Sequence, residues 1–115
     1  MGSREIALEC ARIAEGKKAE RVVVLDVESL ILITHYFVIC SGNNRRQCQA
    51  IADEIRSTLK DKGAPKLGIE GYAEGRWILM DYEDVVVHIF LDEVRKYYDL
   101  ELLWGDGVKV DWKGG

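Results

Sequence analysis

The segment Val22-Val23-Val24-Leu25 restricts the possible folds more than any other part of the sequence. Its β-branched residues favour an extended strand, and the lack of polar alternation predicts that both faces of this strand are covered. Residues 36–41, Tyr-Phe-Val-Ile-Cys-Ser, repeat the same signal. Two strands covered on both faces need further layers around a sheet, which indicates an α/β fold.

Apolar residues recur at helical spacing in two segments, residues 5–15 and residues 45–62. The second segment places its apolar side chains in one stripe, which predicts a helix packed against the sheet. The predicted boundaries are Ser3 as cap and Gly16 as stop of the first helix, and Asn43 or Asn44 as cap and Gly63 as stop of the second.

Three more strands and a third helix are predicted further along the chain. They are a weak strand at 67–73, strands at 76–82 and 85–90 joined across Glu83-Asp84, and a helix at 92–98 capped by Asp92. Residues 28–35 contain apolar residues without a clear period, which predicts a loop or a short strand. The complete order predicts a mixed five-stranded β-sheet flanked by α-helices.

Length and charge limit the classes of function. A chain of 115 residues fits a single domain over residues 1–115, with a core at about 5–104. The 16 basic and 20 acidic residues give a net charge of −4, which argues against broad binding to nucleic acid or to a membrane surface. No run approaches the roughly 18 apolar residues of a membrane span, and the charged start carries no apolar signal core. We therefore expect a cytoplasmic protein.

The three cysteines are predicted to be small core residues. Cys10, Cys40 and Cys48 are odd in number and widely spaced, so a disulfide framework is not expected and CxxC metal spacing is missing. Each lies in an apolar pattern, where a free cysteine packs like a small hydrophobic residue. A reactive thiol is the alternative.

The sequence contains no catalytic constellation that holds together. His35 stands in a loop without a motif, and His88 lies inside an apolar strand, where a hydrogen-bonded and partly buried side chain is expected. The turn at 40–44 joins a strand to a helix, as in many phosphate sites, but lacks a phosphate-binding glycine motif. Asp81, Glu83 and Asp84 form an acidic group that could suggest a metal site, but no further ligand follows at fixed spacing. We predict no enzyme activity, no cofactor and no metal, and the alternative is a nucleotide-binding enzyme that uses the turn and Asp81 or Asp84.

Aromatic residues cluster late in the chain. They are Trp77, Tyr82, Tyr97, Tyr98 and Trp104, with Leu100, Leu102 and Leu103 among them. Strand alternation places Trp77, Leu79 and Asp81 on one face. Aromatic anchors inside a charged rim are typical of protein-binding surfaces, so an interaction module is favoured over an enzyme.

Several segments, taken in order, resemble one known family. They are Val24-Leu25-Asp26-Val27, Tyr36-Phe37-Val38-Ile39-Cys40-Ser41-Gly42, Ala50-Ile51-Ala52-Asp53-Glu54-Ile55, Glu70-Gly71, Trp77-Ile78-Leu79-Met80-Asp81-Tyr82, Asp84-Val85-Val86-Val87-His88-Ile89-Phe90 and the stretch from Arg95 to Trp104. From about residue 5 to residue 104, the chain resembles the ribosomal silencing factor family, also called the Iojap-like family. Many members have glycine at the position of Glu83.

The resemblance implies a function without chemistry. Members bind the large ribosomal subunit on its intersubunit face, through the universal ribosomal protein L-fourteen, and block joining of the small subunit. Translation then falls under nutrient limitation or in stationary phase, whereas organellar relatives act in large-subunit assembly. The resemblance also implies a nucleotidyltransferase-like topology without the active site, and a homodimer when the protein is free.

The aromatic cluster and the resemblance together predict a partner-binding surface. Its candidate residues are Trp77, Tyr98, Leu102 and Trp104 as anchors, Asp81, Glu70 and Glu101 as salt-bridge partners, and His88 as a rim contact. The net negative charge favours binding to a basic ribosomal protein and disfavours rRNA as the main binding partner. An assembly factor on the large subunit would use the same surface and is the alternative.

Overall fold

The computed structural model describes residues 1–64, 68–97 and 107–113. Its elements in chain order are α1 (Ser3–Gly16), β1 (Glu20–Asp26), β2 (Tyr36–Gly42), α2 (Arg45–Asp61), β3 (Gly68–Glu70), β4 (Trp77–Asp81), β5 (Val85–Leu91), α3 (Asp92–Arg95) and β6 (Val108–Lys109). The strands form one sheet in the order β3-β4-β5-β2-β1-β6, in which β2 and β5 are parallel and the other neighbours antiparallel. The predicted α/β class and mixed sheet are confirmed.

The strand count differs from the prediction. The described residues form six strands instead of five, because the short β6 pairs with the end of β1. A strand of two residues is too short for side-chain alternation to reveal it. The weak strand predicted at 67–73 is also shorter, since β3 covers only Gly68–Glu70. Residues 28–35 form a loop, which was one of the two predicted outcomes.

One face of the sheet carries the main core. Helix α1 packs on β1 and β2, and α2 packs on β2, β4 and β5. The strand register places Val24, Val38, Val87 and Met80 in one row under these helices, each at most 1% exposed. The helices remove this face from water. Leu25, Ile39 and Phe90, which point to the opposite face, are at most 2% exposed as well, so both faces of the central strands are covered, as the lack of polar alternation predicted.

All three cysteines are free and fully buried, as predicted. Burial raises the pKa of the Cys40 thiol to about 12 and also raises the pKa of Cys10 and Cys48. A thiol under these conditions stays protonated and is a poor nucleophile. The cysteines therefore act as small core residues.

The boundaries of α2 follow the prediction. The Asn44 side chain caps the helix by accepting a hydrogen bond from the backbone N–H of Gln47 at 2.8 Å. Gly63 follows the helix with a φ of 80°, a left-handed conformation that glycine adopts readily. The N–H groups of Gly63 and Ala64 then donate to the carbonyls of Lys60 and Leu59, which satisfies the last turn.

Helix α1 ends at Gly16, as predicted, but the predicted cap at Ser3 was wrong. Gly2 occupies the cap position without a side-chain hydrogen bond, and Ser3 is the first helical residue. Gly16 is the last helical residue, but the left-handed position after the helix belongs to Lys18, with a φ of 64°. Sequence propensity favoured glycine there, and the connection to β1 instead imposes the conformation on a lysine.

Helix α3 is shorter than predicted, and Asp92 is not its cap. The cap position belongs to Leu91, and Asp92 is the first helical residue. The Asp92 carboxylate instead accepts a hydrogen bond from the guanidinium of Arg21 at 2.7 Å. Residues 96–97 form a turn, and Tyr98, the predicted end of this helix, lies outside the described residues.

The turn between β4 and β5 contains a residue in a left-handed conformation. Glu83 has a φ of 70°, and its N–H donates to Asp81 Oδ1 at 2.9 Å. The N–H of Tyr82 donates to the carbonyl of Val85 at 2.8 Å, which closes the turn. A positive φ in a two-residue hairpin connection is a conformation that glycine adopts most readily.

We expect the Glu83→Gly variant to be more stable than the native chain by about 0.5–1 kcal/mol, because glycine adopts this φ without a side-chain penalty. Thermal unfolding would show this as a rise of a few degrees in Tm. The matched control is Asp84→Gly, at a position with a negative φ, which should lower Tm because glycine there only adds freedom to the unfolded chain. Shifts of the same sign for both variants would contradict this account of the turn.

Candidate protein-binding face

The second face of the sheet collects most of the described candidate residues. The register of β3, β4 and β5 places Glu70, Leu79 and His88 in one row, Trp77 beside Phe90, and Asp81 beside Val86. These side chains lie opposite the row covered by α1 and α2, since successive strand residues alternate between faces. We call this surface the aromatic face; its residues are Phe37, Glu70, Trp77, Leu79, Asp81, Val86, His88 and Phe90.

The structure thus brings together Trp77, Asp81, Glu70 and His88, four of the residues predicted to bind a partner. The alternation that placed Trp77, Leu79 and Asp81 on one face is confirmed, because all three are half-buried while Ile78 and Met80 between them are fully buried. The remaining candidates lie outside the described residues. They are Tyr98, Glu101, Leu102 and Trp104.

Trp77 is half-buried at the start of β4 and is held in one orientation. Its indole Nε1–H donates to His88 Nδ1 at 3.1 Å. Its ring centroid lies 4.8 Å from that of Phe90, within the range of favourable aromatic pairs. Trp77 therefore combines packing within the sheet with a partly open ring surface, which is the combination expected of a preorganised binding anchor.

His88 belongs to the aromatic face, but its side chain is buried, with only 6% of its surface exposed. Because Nδ1 accepts the hydrogen bond from Trp77, we infer that the neutral imidazole carries its proton on Nε2, and that atom has no partner among the described residues. The predicted hydrogen bond and burial are confirmed, but the side chain sits inside the face instead of at its rim. Burial lowers the pKa of His88 to about 4, so the ring is neutral near pH 7.

We expect His88 to make the fold less stable in mild acid. In the unfolded chain the imidazole has an ordinary pKa of 6.5, whereas the folded pKa is about 4, so between these values the unfolded state binds the extra proton. Stability is therefore full above pH 6.5 and falls as the pH drops towards 4, by on the order of 2–3 kcal/mol at about pH 4.5. Urea unfolding at neutral and acid pH would measure this loss.

The control is His88→Gln, whose amide oxygen can still accept from the Trp77 indole but does not titrate. Carboxylates titrate in both proteins, so the difference between the two pH dependences reports on His88. An identical acid loss in the variant would mean that His88 does not carry the effect.

The two described carboxylates of the aromatic face are accessible. Glu70 is exposed and Asp81 is half-buried, and neither forms an ion pair within the described part of the chain. Asp81 Oδ1 accepts from the N–H of Glu83, and the other oxygen accepts no hydrogen bond from the described residues. Both carboxylates can therefore meet lysine or arginine side chains of a partner.

Two backbone donors at the turn at 40–44 and the start of α2 are already occupied by side chains of the chain itself. The N–H of Asn43 donates to Gln47 Oε1 at 2.6 Å, and the N–H of Gln47 donates to Asn44 Oδ1. The Gln47 amide also donates to the carbonyls of Lys17 and Lys18 after α1. These contacts use the N–H groups of Asn43 and Gln47, so these two donors are not available to a phosphate, and the turn gives the nucleotide-binding interpretation no added support.

Sequence reasoning missed one group of possible metal ligands. Asp26, Glu28 and His35 have ligand atoms within 4.8 Å of one another, with His35 Nε2 at 2.7 Å from Glu28 Oε2 and 3.7 Å from Asp26 Oδ1. The three residues come together because the loop between β1 and β2 folds back, with the N–H of Val27 donating to the His35 carbonyl. An ordinary His–carboxylate contact accounts for this geometry. No sequence spacing signalled it.

None of the helices in the described residues has the length and apolar character that crossing a membrane requires. The described residues form an α/β protein with a mixed sheet. On the aromatic face Phe37, His88 and Phe90 are buried, and the accessible part consists of the acidic residues Glu70 and Asp81 together with Trp77, Leu79 and Val86.

Comparison with known proteins places this architecture in a family. The family model described as "Ribosomal silencing factor during starvation" matches residues 1–114, and the chain belongs to this family of ribosome-associated regulatory factors. The Ribosomal silencing factor RsfS of Halalkalibacterium halodurans is 41% identical over 114 residues, covering 99% of this chain and 97% of that protein.

A crystal structure and a more distant relative extend the comparison. Protein CV0518 of Chromobacterium violaceum is 36% identical, with a TM-score of 0.89 over 100% of this chain and 95% of that one. A Mus musculus protein named Mitochondrial assembly of ribosomal large subunit protein 1 is 33% identical over 91 residues, covering 76% of this chain and 40% of that protein. The fold is therefore shared with proteins of the ribosomal silencing factor family.

Proposed function

We propose that this protein binds the large ribosomal subunit through its universal protein L-fourteen and sterically blocks joining of the small subunit. Family membership supports a role on the ribosome. The observation that carries the proposal is the aromatic face, on which the oriented Trp77 lies beside the accessible carboxylates of Glu70 and Asp81. Ribosomal proteins are basic, so an aromatic anchor beside carboxylates is complementary to them.

Steric exclusion needs affinity and position but no reacting group. A standard protein interface buries about 800 Å² on each partner, and a few central residues usually carry most of the binding energy. On this chain Trp77 is the described residue best placed to be such an anchor. The net charge of −4 opposes rRNA as the main anchor, and we propose the cytoplasm as the compartment because the ribosomes to be silenced lie there.

Subunit joining tests this function directly. Purified large and small subunits are mixed in magnesium that favours association, with and without excess protein, and sedimented. The proposal predicts that the protein migrates with large subunits and that the joined peak falls. Migration with large subunits without an effect on joining would contradict silencing, and failure to migrate with them would contradict ribosome binding.

The same surface is proposed to form a homodimer when the protein is free. We expect the ribosomal partner and the second copy to compete, because both would cover the aromatic face. Analytical ultracentrifugation of labelled protein with increasing purified L-fourteen should show dimer replaced by a one-to-one complex. If the dimer fraction stays unchanged at saturating L-fourteen, the second copy and the ribosomal partner do not share a surface.

A second candidate function is assembly of the large subunit, which the name of the Mus musculus relative favours. It needs the same binding surface and differs in which particles are bound. Sedimentation against immature and mature large subunits distinguishes the two: preference for immature particles, without inhibition of joining, would favour assembly.

A further inference from the structure

An exposed apolar loop lies at the end of the sheet where β1 meets β2. Among the described residues, six large apolar side chains are exposed, and three of them fall within this loop: Leu30 at 40%, Leu32 at 101% and Ile33 at 79%. A fourth, Val108 at 66%, pairs in register with Asp26, at the base of the loop. Grouped exposed apolar side chains are costly in water and mark an interaction surface.

The loop holds these side chains in a defined arrangement. The N–H of Val27 donates to the His35 carbonyl at 2.9 Å, which closes the neck of the loop. The N–H groups of Leu30 and Ile31 both donate to the Val27 carbonyl, and Ile31 packs half-buried against the core. The exposed side chains are therefore presented on a fixed backbone, which reduces the entropy lost on binding.

Carboxylates surround the apolar tip. Glu28 and Asp84 line one cavity together with Leu32. Asp26 stands at the loop base, and Glu83 precedes Asp84 in the adjacent turn. Within the described part of the chain, the only basic partner of these four carboxylates is His35, which contacts Asp26 and Glu28. The rim of this surface is thus strongly acidic.

This acidic apolar loop is continuous with the aromatic face. Strand β4 runs from Trp77 to Asp81, about 13 Å, and the turn after it reaches the loop through the Asp84 carbonyl, which accepts from the N–H of His35 at 2.9 Å. An interface of about 800 Å² is roughly 30 Å across, so one partner can cover both.

We infer that the loop tip, Leu30, Leu32 and Ile33, docks into an apolar pocket framed by lysine or arginine on a protein of the large ribosomal subunit. The inference rests on the proposed function and adds a second contact to it. An acidic rim repels the phosphates of rRNA and of anionic lipids. A second copy would bring the same acidic rim against itself in a two-fold contact. A basic protein surface with an apolar pocket can bury the apolar tip and can also pair with the carboxylates of the rim.

Binding of fluorescently labelled full-length variants to purified large subunits tests the inference. The Leu32→Ser/Ile33→Ser double variant should bind about tenfold more weakly or worse, since two aliphatic side chains no longer leave water on docking. Both side chains are exposed in the free protein, so the circular dichroism spectrum should not change. Ser29→Ala, an exposed position in the same loop, is the control and should bind like the native protein.

The rim is tested with Glu83→Gln/Asp84→Asn, which removes two carboxylates that make no ion pair in the described residues. This variant should bind severalfold more weakly and should show a smaller loss of affinity with added salt. Tighter binding by this variant would mean that the rim faces rRNA and would overturn the inference.

The remaining outcomes separate the inference from the proposed function. If the native protein and the serine variant bind large subunits equally well, only the inference is overturned. If the serine variant loses self-association in ultracentrifugation but still binds large subunits, the loop contacts a second copy of the chain. That result would also overturn the inference. Native protein that does not bind large subunits would overturn the proposed function and the inference together.

Discussion

We expect Trp77→Ala to bind the large ribosomal subunit about thirtyfold more weakly than the native chain, the usual scale of a central anchor. The indole is half-buried, oriented by its hydrogen bond to His88 and packed against Phe90. Truncation removes both the ring surface that a partner would cover and the group that orients His88. Sedimentation with large subunits and loss of inhibition in subunit joining would measure the effect.

Two further variants separate binding from folding. Ile78→Val changes the next residue of β4, which is fully buried under the helices, and should lower stability by about 1 kcal/mol without weakening binding. Trp77→Phe keeps an aromatic ring and should lie between the native chain and Trp77→Ala. Loss of the folded circular dichroism spectrum in Trp77→Ala would make Trp77 mainly a core residue, and unchanged affinity in a folded variant would remove it as an anchor.

Strand alternation was enough to predict part of the aromatic face. It placed Trp77, Leu79 and Asp81 together because the side chains of one strand alternate with a period of two. It could not place Glu70 or His88 beside them, since that depends on the pairing register of β3, β4 and β5. The sequence analysis proposed both as candidates, and the register of the strands places them on the same face as Trp77.

The errors in the sequence analysis have local physical causes. Ser3 was expected to cap α1, but it is the first helical residue and Gly2 takes the cap position. Asp92 was expected to cap α3, but an ion pair with Arg21 holds its carboxylate instead. Short-range propensity does not describe a contact between residues 71 positions apart.

The apolar loop marks a different limit of sequence reasoning. Leu30, Leu32 and Ile33 have no helical or strand period, and in most chains such residues join the core. Here the backbone hydrogen bonds to Val27 turn Ile31 inward and leave its neighbours in water. A group of exposed apolar side chains beside carboxylates is recognisable as a surface only after the loop conformation is known.

Gly71→Ala should destabilise the fold by about 3 kcal/mol or more, a large part of the stability of a small protein. Gly71 follows β3 with a φ of 78°, which already disfavours a side chain. A Cβ atom there would overlap the carbonyl oxygen of Trp77 and lie 3.2 Å from its carbonyl carbon. Both atoms are backbone, so β4 would have to move, and the anchor would move with it. Urea unfolding and subunit binding should therefore both be impaired.

Gly63→Ala is the matched control, because Gly63 has a nearly identical φ of 80° but an added Cβ atom would meet no described residue within 4 Å apart from its chain neighbours. It should cost only about 1 kcal/mol, the penalty of the left-handed conformation, and should leave subunit binding intact. The difference between the two variants isolates the contact between Gly71 and the Trp77 backbone. Equal destabilisation would mean that β4 accommodates the extra methyl group, and Gly71 would then matter for its φ alone. A Gly71→Ala variant that stays folded but loses subunit binding would tie the position of β4 directly to function.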